Sequence, residues 1–113
     1  MADVFDLYGI LDTDIDTMAI TLTSVLKVPF NPHDSSYWGK YYLAHTEDYK
    51  EKLSLKENFN KIEKDWNEPE FKDYPLILEA SFPLLTRARE IEEGILKATG
   101  SKAVLLRREE YTM

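Results

Sequence analysis

Between residues 12 and 27, apolar side chains recur at Ile15, Met18, Ala19, Leu22, Val25 and Leu26. Spacings of three and four put them on one stripe and predict an amphipathic helix. Thr13 stands where an N-cap belongs, with Asp16 three residues on at the positive end of the helix dipole. Pro29 and Pro32 then stop the helix and open a loop, in which residues 33 to 36 supply turn chemistry. Beyond it the period shortens. GKYYLAH, residues 39 to 45, is rich in β-prone aromatics; TEDYKE carries turn residues; and in KLSLKENF, residues 52 to 59, Leu53 and Leu55 share a face. These segments predict a hairpin. Residues 60 to 74, NKIEKDWNEPEFKDY, have mixed charge, Pro69 and no period, and are expected to form a long loop.

PLILEASF, residues 75 to 82, is the most apolar run and is expected to be an inner strand. Leu84, Ala88, Ile91, Ile95 and Ala98 trace a second helix opposite Arg87, Arg89, Glu90, Glu93 and Lys97, with Gly100 as its C-terminal stop. KAVLLRREEY, residues 102 to 111, is a last strand, so strand, helix and strand predict a right-handed parallel crossover. DLYGI near the start adds a short edge strand or turn. The expected fold is a single α+β domain over residues 1 to 113, in the order α-β-β-β-α-β. It has a mixed sheet of about four strands with two helices on one face.

Composition narrows the class. A chain of 113 residues supports one core, and 43% hydrophobic with 31% charged residues suits a soluble globular protein. Without cysteine there are no disulfides, thiolate ligands or thiol nucleophiles, and no apolar run has the length of a membrane span. A cytoplasmic protein without a membrane partner is expected. The net charge of −7 is concentrated at one end: residues 1 to 26 hold five aspartates and no Lys or Arg. That balance opposes nucleic-acid binding and would steer a basic protein partner.

The chemistry-bearing residues do not assemble into a recognisable catalytic motif. Ser35, Ser36, His33 and Asp34 are sequence neighbours, whereas a triad is brought together from separate elements. His33 and His45 lie twelve residues apart without the short ligand spacing of a metal site. The four glycines are isolated, so phosphate-binding loops are missing, and the many carboxylates of the 57 to 73 region carry no spacing of their own. No catalytic, cofactor or metal residue is assigned, and no cofactor is expected. Aromatic density beside polar loops remains, and aromatics with polar tips favour recognition surfaces. The loops at 31 to 39 and 60 to 74 make Tyr37, Trp38, Asp65, Trp66, Glu68 and Glu70 the candidate partner-binding residues. A small enzyme or ligand-binding domain using the His33 loop, and a homodimer or larger homo-oligomer with a structural role, are the alternatives.

Three stretches carry a resemblance. HDSSYWGKYY matches a pattern H-[DE]-S-S-Y-x-G-G-x-Y-Y at His33, Asp34, Ser35, Ser36, Tyr37, Gly39, Tyr41 and Tyr42, with Lys40 in place of the second glycine and one residue fewer. EPEFKDYP follows E-P-[DE]-F-x-[DE]-[HY]-P, and VLLRREEY ends the set. Together they resemble small bacterial proteins associated with immunity to polymorphic or contact-dependent toxins. The resemblance implies a non-enzymatic inhibitor that binds a toxin domain and occludes its active site, and the acidic chain would suit a basic toxin.

Overall fold

The computed structural model describes residues 2 to 36 and 39 to 112, so the expected partner residues Tyr37 and Trp38 lie outside the described residues. In chain order the elements are β1 (Ala2–Ile10), α1 (Ile15–Leu26), β2 (Asn31–Ser35), β3 (Gly39–His45) and β4 (Lys52–Glu57). There follow β5 (Phe59–Asn60), β6 (Asp65–Trp66), a 3-10 turn (Pro69–Phe71), β7 (Leu76–Phe82), α2 (Leu85–Thr99) and β8 (Ala103–Thr112). The fold is α+β, with both helices where the apolar stripes predict them.

The sheet differs from expectation. It has six strands rather than about four, in the order β2-β3-β4-β7-β1-β8, and every neighbouring pair is antiparallel. β7 and β8 do run parallel to each other, but β1 lies between them and pairs with both, so the crossover through α2 spans a strand. DLYGI, expected as a short edge strand or turn, is therefore part of a nine-residue interior strand. Residues 33 to 36, expected as turn, lie largely within β2. This strand accommodates Pro32 because it pairs with β3 alone, so the missing amide costs no interior hydrogen bond.

One face of the sheet packs against both helices. Val4, Tyr8 and Ile10 from β1, Leu53 and Leu55 from β4, and Leu76, Leu78 and Phe82 from β7 meet Met18 and Leu22 of α1 and Ala88, Ile91 and Ile95 of α2 in one cluster. Full burial of each such leucine or isoleucine contributes about 1.5–3 kcal/mol. Helix α1 starts one residue later than Thr13 as N-cap would place it. Asp14 is the N-cap, accepting hydrogen bonds from the Thr17 amide at 2.7 Å and the Thr17 hydroxyl at 2.9 Å. Its carboxyl is held below the ordinary aspartate range, first by the amide bond and then by the hydroxyl.

Of the five aspartates in residues 1 to 26, three are engaged in internal bonds. Asp6, whose side chain is fully buried on the helix face, accepts two 2.8 Å bonds from Arg108, which also reaches Glu92 of α2 at 3.0 Å. The Asp6 bonds raise the Arg108 pKa. Burial, with the negative charge of Asp6 next in weight, pushes the Tyr8 phenol up. Asp16 accepts from Lys40 Nζ and Tyr42 Oη, both at 2.6 Å, and those bonds lower its pKa. Three of the five aspartates therefore serve the fold, and two of these, Asp6 and Asp16, are paired with cations.

Candidate functional site

Among the described residues no helix covers the second face of the sheet. Its side chains stand in rows set by the strand registers. Tyr41, Lys56, Ile77 and Gly9 form one row; Leu43, Ser54, Glu79, Leu7 and Arg107 the next; His45, Lys52, Ser81, Phe5 and Glu109 a third. A bulge in the β1–β8 pairing opposite Leu7 and Tyr8 inserts Leu106 as an extra residue. It re-aims the two consecutive arginines: Arg108 turns to Asp6 beneath the helices and Arg107 turns to the open face.

The segment joining β4 to β7 folds over one end of this face. Asn58, fully buried, organises it. Its Nδ2 donates to the carbonyls of Phe71 at 2.8 Å, Tyr74 at 3.0 Å and Glu68 at 3.5 Å, and its Oδ1 accepts from the Glu68 amide at 2.9 Å. Its own backbone bonds Pro75 and Asn67 at 2.8 and 2.7 Å. The expected long loop is instead a pinned structure containing the β5–β6 hairpin and the 3-10 turn. Tyr74 lies over Gly9, where a Cβ would stand 2.5 Å from the ring. The close approach requires glycine at that point in the row.

Beyond the covered end, the face sinks into a hollow of about 370 Å³. Leu7, Leu43 and Phe5 contribute apolar surface; Ser54, Ser81, Lys52, Lys56 and Arg107 line it with Glu68, Glu79 and Glu109. Lys56 is almost wholly buried and pairs with Glu79 at 2.8 Å. Arg107 reaches Glu68 at 3.5 Å and Glu109 at 3.1 Å, and Glu109 also accepts from the Tyr111 hydroxyl. Tyr111 stacks edge-on against Phe5, centroids 5.5 Å apart, beside the hollow.

The sequence-derived candidates divide around it. Glu68 lines the hollow. Trp66 is half-buried and edge-on to Phe59 at 5.2 Å, on the β5–β6 hairpin. Asp65 is exposed and accepts from the Trp66 amide at 2.8 Å, and Glu70 is exposed on the 3-10 turn. His33 is exposed and stacks on Tyr41, centroids 5.4 Å apart, while Asp34, its neighbour on a strand, faces the other way. His45 stacks on Tyr49 with centroids 3.9 Å apart, its Nδ1 2.8 Å from the Thr46 carbonyl oxygen. Among the described residues no group of three or more His, Asp or Glu could hold a metal ion.

Lys52, Ser54, Glu79, Ser81, Arg107 and Glu109 were missed as site residues. The available signal was the polar half of the strand alternation, Lys-Ser-Lys at 52, 54 and 56, which shows a solvent face but not what stands beside it. No protein-family model matches the chain, and no curated protein matches it. No helix among the described residues is long and apolar enough to cross a membrane.

Proposed function

We propose that this is a non-enzymatic protein-binding domain of the immunity type, which covers the active surface of a toxin partner with the segment between β4 and β7. The observation that carries this reading is the anchoring of that segment by Asn58. A surface already ordered before contact loses little conformational entropy on binding. The segment presents Phe59 and Ile62, which are 40% and 50% exposed, with the half-buried Trp66 edge-on to Phe59. The same segment carries the exposed acids Glu63, Asp65, Glu70 and Asp73 together with the exposed Lys61, Lys64 and Lys72. Aromatic anchors within a charged rim have the composition of an interface, and the net charge of −7 would raise the association rate with a basic partner. The resemblance noted for the HDSSY, EPEF and LLRREEY stretches is consistent with that role.

Co-purification with the product of the neighbouring gene tests the proposal. A basic toxin-like neighbour is expected to bind, and Trp66→Ala is expected to weaken binding by tenfold or more, as for an interface anchor. A basic toxin-like neighbour that does not bind overturns the reading.

A further inference from the structure

The hollow on the open sheet face has an uneven supply of free hydrogen-bonding groups. Each of its facing carboxylates is engaged: Glu79 by Lys56, Glu68 by Arg107, and Glu109 by Arg107 and Tyr111. By contrast, the Lys52 ammonium and the hydroxyls of Ser54 and Ser81 have no side-chain partner among the described residues. The three are adjacent. Lys52 stands directly opposite Ser81, and Ser54 is two residues along β4 from Lys52 on the same face. The uncommitted groups are therefore one cation and two hydroxyl donors, a set suited to an anion's oxygens.

The same row continues from Ser81 to Phe5, so the donors and the aromatic ring are separated by up to two strand spacings, about 10 Å. Beside Phe5 on β1, in the row of Ser54 and Glu79, the floor is Leu7, which is buried beneath its neighbours. A volume of about 370 Å³ lies at the small end of the range for enclosed small-molecule sites.

We propose that the hollow binds a small amphipathic monocarboxylate. Its carboxylate would be held by Lys52, Ser54 and Ser81, and its apolar or aromatic body would lie over Leu7 against Phe5. This goes beyond the protein-binding proposal and does not rest on it, because the donors lie on β4 and β7 rather than on the Asn58-anchored segment.

The test is a titration of isotope-labelled protein with phenylpropionate, phenylpropanol and phenylpropylamine, followed by amide chemical shifts. Phenylpropionate is expected to shift the Phe5, Ser54 and Ser81 amides saturably, with half-saturation at about 1 mM or below, while the alcohol and the amine leave them in place. Because Lys52 is exposed, Lys52→Met is expected to fold normally and to weaken phenylpropionate binding about tenfold, the loss of one charge-assisted hydrogen bond. Phe5→Ser, also at an exposed position, is expected to weaken it as well. No saturable shift, equal shifts from the alcohol or amine, shifts centred elsewhere, or undiminished binding by Lys52→Met would each overturn the proposal.

Discussion

The two faces of this sheet bury charge in opposite ways. On the helix face, the Asp6 carboxylate is withdrawn completely from solvent and is matched by the two-pronged Arg108, itself bonded to Glu92. On the open face, Lys56 is nearly as buried, yet its partner Glu79 remains about half exposed. A charge whose partner is sealed in has no alternative solvation, whereas one whose partner reaches water can exchange it for hydration. The first arrangement holds the fold together, and the second leaves a surface able to accept a visitor.

The contrast is broken most directly at Asp6. Asp6→Ala removes the two-pronged buried partner of Arg108, leaving it Glu92, and is expected to cost about 3 kcal/mol in chemical denaturation. Asn58→Ala acts on the other face. It is expected to cost about 1–3 kcal/mol and to accelerate hydrogen exchange in residues 58 to 75 while the helix-face strands stay protected. Uniform acceleration across both faces would show that the segment is not an independent cover. Lys56→Met should change stability by less than about 1 kcal/mol, because Glu79 stays hydrated; a loss as large as that of Asp6→Ala would erase the difference drawn between the faces.

The smallest effect concerns pH. Asp14 has a folded pKa below its unfolded value of about 3.9, so its contribution is complete above that value. It is lost as pH falls through the lower folded pKa. In thermal unfolding followed against pH, Asp14→Ala is expected to melt below the parent near neutrality, with the gap closing in acid. A gap constant across the acid range would contradict the cap assignment.

Both helices were legible because their apolar positions repeat locally: Ile15, Met18, Ala19 and Leu22 are buried as the spacing predicts, as are Ala88, Ile91 and Ile95. The hairpin at Gly39 to Glu57 was legible for the same reason, with its turn residues between two alternating runs. β1 was not. Val4, Tyr8 and Ile10 share a face, but Asp6 interrupts them, and the arginine that makes a buried aspartate tolerable there lies 102 residues away. β2 was hidden by Pro32, because only the sheet order reveals that the strand is an edge.

The hollow was less legible still. Its residues come from β1, β3, β4, β7, β8 and the Asn58-anchored segment, and their meeting depends on registers that no local pattern encodes. The bulge at Leu106 is the sharpest case. Without that one-residue offset, Arg107 and Arg108 would exchange faces. Of the sequence-derived candidates, Glu68 enters the hollow, and it does so because Asn58 bonds its backbone amide.

The position of β1 also orders events in time. It precedes every other strand described here in chain order, yet both of its neighbours, β7 and β8, are drawn from residues 76 to 112. Until they arrive, a largely apolar strand carrying Asp6 has neither ladder partners nor Arg108. The centre of the sheet therefore closes only after residues 76 to 112 have been made, through contacts of high sequence separation. The hairpin of β3 and β4 needs no such wait, so the molecule's middle can be structured while its first strand is still unpaired.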